Sequence, residues 1–238
     1  AMRNLEYFVA VELDLAKLHP DPDVRQQSTW AVELLTPVCK AWLTEMSATV
    51  CWTAMQMHGG VGYIEDSGVP QLYRDIRGAA IYEGTNGMQA VDLLGRKLPL
   101  EGGAAILGLL DRIEIELSHM DSGNSDVGFV VERTQETLEH VRSATNWIFD
   151  NGLERLDDAL AGATPFLTLL GLLAGGWMMC RQAEQSCSDD RLRVSSARFY
   201  AAHQLAESAA LSRRVRHGAA ELECLVPSDL RTPIEFDK

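Results

Sequence analysis

Apolar residues recur along this chain at spacings of three and four, and no stretch of useful length alternates apolar with polar. The pattern predicts an all-α fold. Leu5, Phe8, Val9, Leu13 and Leu15 fall near one side of a helix over residues 3–18. In "HPDPD" (19–23) two prolines stop that helix and start another. A long helix is predicted over 26–57, bent at Pro37, and ended by "HGGVGY" (58–63). A short helix over 67–78 takes Pro70 in its first turn. Met88, Val91 and Leu94 mark a helix over 86–97, with Asn86 as its cap and Gln89 three residues on, a capping-box arrangement. After the break "LPLEGG" (98–103) comes an amphipathic helix over 104–119.

"MDSGNSDVG" (120–128) is the most loop-like stretch, and it predicts a division into a helical domain of residues 1–119 and a second of residues 120–238. Helices are expected over 130–149, 152–161, 164–186 and 191 to about 225, with Thr164 capping the third and Pro165 opening it. The most apolar run, "PFLTLLGLLAGGWMMC" (165–180), falls short of the roughly 18 residues that a membrane span needs. It reads as a buried core helix, with no membrane span. Gly171 and Gly175 lie four apart on it, where another backbone or ring can come close. The tail "VPSDLRTPIEFDK" (226–238) has no helical period and is expected to wrap the surface.

Composition narrows the function classes. Hydrophobic residues are 46% and charged residues 23%, as in globular proteins, and 238 residues suffice for a real core. The net charge of −13 argues against a nucleic-acid surface, which needs clustered Lys and Arg. Five cysteines, an odd number without CxxC spacing, argue against a disulfide framework; a reducing, cytoplasmic setting is expected. Six scattered histidines give no metal-ligand spacing.

Two glycine-containing breaks remain as candidates for chemistry. "QMHGGVGY" (56–63) could let a backbone approach a phosphate, or could simply cap a helix end. It has neither the GxGxxG nor the GK[ST] pattern of the common nucleotide loops. In "AAIYEGTNGMQA" (79–90), Glu83 follows an apolar run. A carboxylate there is either a solvated acid near a helix start or a desolvated one with a raised pKa, useful as a general base.

Together, the two breaks resemble the C-terminal domain of the acyl-CoA dehydrogenase family. Gln56, Gly59, Gly60, Gly62 and Tyr63 match its glycine turn, Arg74 and Asp75 its R-D pair, and Ile81 to Thr85 with Gln89 its I-Y-E-G-T segment, in the family's order and spacing. Residues 31–45, 163–179 and 197–203 are similar to a bacterial branch with an extra C-terminal helical domain. The resemblance implies FAD-dependent α,β-dehydrogenation of an acyl-CoA thioester, with Glu83 as the base for the α-proton. It implies FAD contacts from Thr85 and Asn86, and from Gln56, Gly59 and Gly60 to the ADP half of a neighbouring subunit's FAD. It also implies an electron-transfer flavoprotein or similar acceptor and a homo-oligomer. His58 is expected to have a surface or stacking role. The family's β-domain and first bundle helix have no counterpart here, so the chain is expected to be the C-terminal portion of a longer enzyme, inactive alone. The apolar faces of helices 3–18 and 26–57 are expected to lack a partner and to drive self-association. The alternative is a non-catalytic helical interaction module derived from the same scaffold.

Overall fold

The computed structural model of the chain describes residues 1–120, 124–152, 154–186 and 190–223. Its described residues form helices and no strand: α1 (Met2–Leu18), α2 (Pro22–Met57), α3 (Gly60–Tyr63), α4 (Val69–Ala79), α5 (Asn86–Asp92), α6 (Ala104–His119), α7 (Ser125–Asn151), α8 (Leu156–Ala161), α9 (Ala163–Glu184), α10 (Arg191–Phe199), α11 (Ser208–His217) and α12 (Ala220–Glu223). The all-α reading holds.

The boundaries moved where capping chemistry competed with periodicity. α2 starts at Pro22, because the Asp21 carboxylate accepts from the Asp23 N–H at 2.9 Å and proline suits the first turn. It then runs unbroken for 36 residues through the buried Pro37. The proline deletes one N–H, and burial on both sides keeps the helix going. α7 begins inside the expected loop, with the Asn124 side chain accepting from the Asp126 N–H at 3.0 Å; residues 121–123 of that loop lie outside the described residues. α8 starts only at Leu156. α9 is capped by Gly162, so Thr164 is already helical. The single helix expected from residue 191 is interrupted twice. A wider π-turn covers Tyr200–Gln204, and Gly218, at φ 79°, ends α11, where the Asp158 carboxylate accepts from the Ala219 N–H at 2.6 Å. The expected surface tail lies outside the described residues.

α9 is apolar on every side, and a helix of that kind belongs inside. It touches α1, α2, α5, α6, α7, α8, α10 and α11. At 22 residues it is long and apolar enough to cross a membrane, so the length argument from sequence does not stand; burial decides, with 89% of its apolar window inside the protein. Its glycines admit large neighbours. A Cβ at Gly171 would sit 2.5 Å from the Trp42 ring, and one at Gly175 would collide with the Tyr200 hydroxyl, which donates to the Leu172 carbonyl at 3.1 Å. The Cys180 thiol, buried on this helix, is pushed up to about 12 by desolvation.

α9 also overturns one expectation about α1. Leu5, Phe8 and Val9 are buried, and α1 packs on both α2 and α9. Phe8 meets Trp177 edge-on at 4.7 Å, and the guanidinium groups of Arg112 and Arg181 lie 5.3–5.6 Å from both rings. Arg112 also holds the buried Glu12 carboxylate at 2.7 Å. One continuous core results, from Leu5 to Val215.

Gly171→Ala is expected to lose about 1–3 kcal/mol through overpacking against Trp42. Gly108→Ala, where the nearest atom to a new Cβ is 3.8 Å away, is expected to gain up to about 1 kcal/mol from helix propensity. Urea unfolding of both variants checks the contrast.

Candidate functional site

The carboxylate Glu83 sits between α4 and α5 on a short, closed loop. α4 stops when the Ile81 and Tyr82 N–H groups both donate back to Gly78 O, at 2.9 and 3.2 Å. The chain then turns through two successive left-handed residues, Glu83 at φ 56° and Gly84 at φ 87°. Glycine adopts that conformation freely, whereas a glutamate held there costs about 1–2 kcal/mol. The Asn86 N–H closes the loop on Ala80 O at 3.1 Å.

α5 restarts under a different cap from the one expected. The Thr85 hydroxyl accepts from the Met88 N–H at 3.4 Å and is the N-cap; Asn86 is the first helical residue. Gln89 does not close a capping box. Its Nε2 donates to the Glu83 carbonyl at 3.0 Å. Asn86 turns its amide to α2: Oδ1 accepts from Lys40 Nζ at 2.9 Å, and Nδ2 donates to Glu45 Oε1 at 2.8 Å and Thr44 Oγ at 3.0 Å. Both ends of that amide are therefore engaged within the protein. Lys40 Nζ also donates to the Gly84 carbonyl at 2.6 Å. Sequence reading missed Lys40, Thr44 and Glu45. Their one signal is a polar set amid buried neighbours such as Leu43 and Trp42.

Glu83 is exposed, and its apolar neighbours Ile81 and Tyr82 are 65% and 60% exposed. The desolvation expected from the apolar run is thus not supplied by the described residues: the run lies on the surface with the acid.

The second break lies at the far end of α2. Gln56, Gly59 and Gly60 are exposed together there, and His58 bonds back to Ala54 O through Nδ1 at 2.8 Å. The glycines have separate reasons. Gly59 has φ 59°, and Gly62 is buried where a Cβ would meet Met55 O at 2.5 Å. Gly60 has neither constraint, and a Cβ there would meet open space. The fold leaves its backbone bare to an incoming group. Glu45, beside the Glu83 loop, and Gln56 are eleven residues apart on one helix, about 16 Å at 1.5 Å per residue. The two breaks therefore do not converge on one pocket. Nearby, Arg74 clasps Glu65 at 2.8 and 2.9 Å, and those hydrogen bonds hold the Glu65 carboxyl below its ordinary range.

Comparison with known proteins gives two family matches: "Acyl-CoA dehydrogenase, C-terminal domain" over residues 1–98, and "Acetyl-CoA dehydrogenase C-terminal like" over residues 109–225. The 3-methylmercaptopropionyl-CoA dehydrogenase of Ruegeria pomeroyi is 34% identical over 220 residues, which are 85% of this chain and 36% of that protein. A butyryl-CoA dehydrogenase of Syntrophomonas wolfei is 32% identical over 103 residues, 43% of this chain and 17% of its own. The chain thus spans little more than a third of the first relative and less of the second. Caenorhabditis elegans ACDH-11, solved in complex with C11-CoA, shares the fold with a TM-score of 0.72 at 21% identity, over 84% of this chain and 33% of its own.

If Glu83 is held against its backbone preference, Glu83→Gly is expected to raise stability by about 0.5–1 kcal/mol. Thermal unfolding checks it, and Glu83→Val should shift the midpoint the other way.

Proposed function

Because the chain belongs to the acyl-CoA dehydrogenase family, in its C-terminal part, we propose that it supplies the general base of an FAD-dependent acyl-CoA dehydrogenase, with Glu83 taking the α-proton of an acyl-CoA thioester. The observation that carries this reading is the loop. A glutamate occupies a left-handed position that glycine would fill more easily, and side chains from two helices hold the backbone carbonyls of Glu83 and Gly84. Strain of this kind persists where the surroundings over-determine it, and such places are often functional. Glu101, at φ 52°, shows that the conformation alone is insufficient: it too precedes left-handed glycines, but none of the site's polar clamps reaches it.

The residues fit FAD at two separate places. Gly59 and Gly60 offer bare backbone beside Gln56, and the Thr85 hydroxyl keeps its own proton to donate. Their separation suits contacts to two flavins of an oligomer, one near the Glu83 loop and one through its ADP half near Gln56. When bound, FAD would supply the acceptor for the hydride that leaves the β-carbon. Glu83 takes the α-proton and becomes the neutral acid, and the substrate becomes the trans-enoyl thioester. An α-C–H beside a thioester is a weak acid, so the base must be close and poorly hydrated. The exposed apolar surface around it, Ile81, Tyr82 and Met88, is proposed to be covered in the working enzyme. The electrons are proposed to pass on to an electron-transfer flavoprotein or similar acceptor.

In the flavin-loaded enzyme containing this chain, Glu83→Gln is expected to lower turnover by about 100- to 10,000-fold, the range of general-base contributions, with flavin content retained. Unchanged turnover would instead favour the interaction-module reading. The 238-residue chain alone, given FAD, acyl-CoA and a dye acceptor, is expected to show no turnover. It is also expected to self-associate, through Trp52 and Met57 on the exposed end of α2 and Tyr63 and Ile64 just beyond it, rather than through α1. Light scattering at micromolar concentration should return more than the monomer mass of 26.2 kDa, and Tyr63→Asp should lower it.

A further inference from the structure

The Glu83 loop carries more polar support than a seven-residue helix needs for its cap. The left-handed dipeptide Glu83–Gly84 presents two consecutive carbonyls, and each receives a side-chain donor. Gln89 Nε2 reaches the Glu83 carbonyl at 3.0 Å from within α5, and Lys40 Nζ reaches the Gly84 carbonyl at 2.6 Å from α2. The second acceptor of Lys40 is the Asn86 amide oxygen at 2.9 Å. Both are neutral, so this half-buried ammonium is spent on loop geometry, and among the described residues no carboxylate lies within ion-pair distance of it. Asn86 passes the hold on to Thr44 and Glu45, and Glu45 pairs with Arg77 at the end of α4, 3.3 Å away. The entry, apex and exit of the loop are thereby tied to little more than one turn of α2.

We infer that Lys40 and Gln89 are positioning residues for the Glu83 base, fixing the two carbonyls of its strained dipeptide so that the carboxylate keeps one direction. The inference rests on the reading of Glu83 as the base. Without these donors the dipeptide loses what offsets its left-handed cost, and a relaxation of φ toward negative values swings the side chain away. Proton abstraction from carbon is sensitive to such a shift, whereas binding of the acyl-CoA is not, because neither donor is committed to substrate.

The test uses the flavin-loaded enzyme containing this chain, with Lys40→Met, Lys40→Arg, Gln89→Leu and Glu83→Gln. The rate of flavin reduction by acyl-CoA is followed with protiated and α-deuterated substrate. A displaced base predicts a rate about 10- to 100-fold lower in Lys40→Met, the scale at which a misplacement of an ångström acts. KM should stay within about twofold, the α-deuterium isotope effect should rise, and Lys40→Arg should recover most of the rate, as for an interaction realised only in the transition state. Gln89→Leu acts on the other carbonyl without touching α2 and should move the same quantities in the same direction, which keeps the test usable if Lys40→Met folds poorly. The inference is overturned if both variants reduce flavin at the parental rate, or if their loss appears in KM or in flavin content with no change in isotope effect. Retained activity in Glu83→Gln would sink the base reading itself. An inactive Glu83→Gln beside fully active Lys40→Met and Gln89→Leu would sink the positioning role alone.

Discussion

The seat of Trp42 on α9 is the contact from which the rest of the arrangement follows. α9 carries glycine at 171 and 175, and the indole of Trp42 lies so close to Gly171 that even a methyl group would not fit. This fixes the distance between α2 and α9 and also the rotation of α2 about its axis. At 100° per residue, Lys40 and Thr44 lie about 160° around the helix from Trp42. A tryptophan buried on one side therefore sends the ammonium and the hydroxyl to the other, where the Glu83 loop passes. The indole N–H of Trp42 is buried without an acceptor among the described residues, a cost of about 1–3 kcal/mol. The contact survives that cost, so the ring's volume against the glycine face is what it contributes.

A second constraint acts within the loop. Two left-handed residues in succession turn the chain sharply enough for the Asn86 N–H to reach back to Ala80. Gly84 adopts this freely; Glu83 does not. The strain is local, and it is opposed by donors on two helices whose relative position is already set by the α2–α9 seat and by the contact of α5 with both. Strain at the site thus draws on packing elsewhere, as bistable or loosely held loops cannot.

Much of this was legible in the sequence, and the parts that were not share a cause. Periodicity found every long helix, because burial of one face is a local property of the pattern. It misjudged ends where a short polar side chain chose a neighbouring partner: Asn86 reads as a cap, yet Thr85 caps and Asn86 reaches α2, a partner more than forty residues away in sequence. The π-turn at Tyr200–Gln204 was invisible for a related reason, since nothing in "YAAHQ" breaks a helix; it accompanies a buried tyrosine whose hydroxyl reaches Leu172. Glu83 itself stood out only through its company, the glycine turn upstream and the residues on either side. Lys40, Thr44 and Glu45 carried no such signal, because what they do is defined by a tertiary contact.

The exposure of Glu83 separates two requirements that a general base usually meets in one place. The backbone of its loop is set here, by the hydrogen bonds of Lys40, Gln89 and Asn86. Its dielectric surroundings are not, since Ile81 and Tyr82 stand out into solvent beside it. A carboxylate in water is a poor base for a carbon acid, and its pKa rises only when burial disfavours the charge. On the proposed reading, the covering surface comes from a body packed over this face. On that reading it leaves the loop's polar clamps intact, since their donors already bond to the loop. On the proposed reading of Glu83 as the base, the loop geometry held on this body and a covering wall on another would act together only when the two meet.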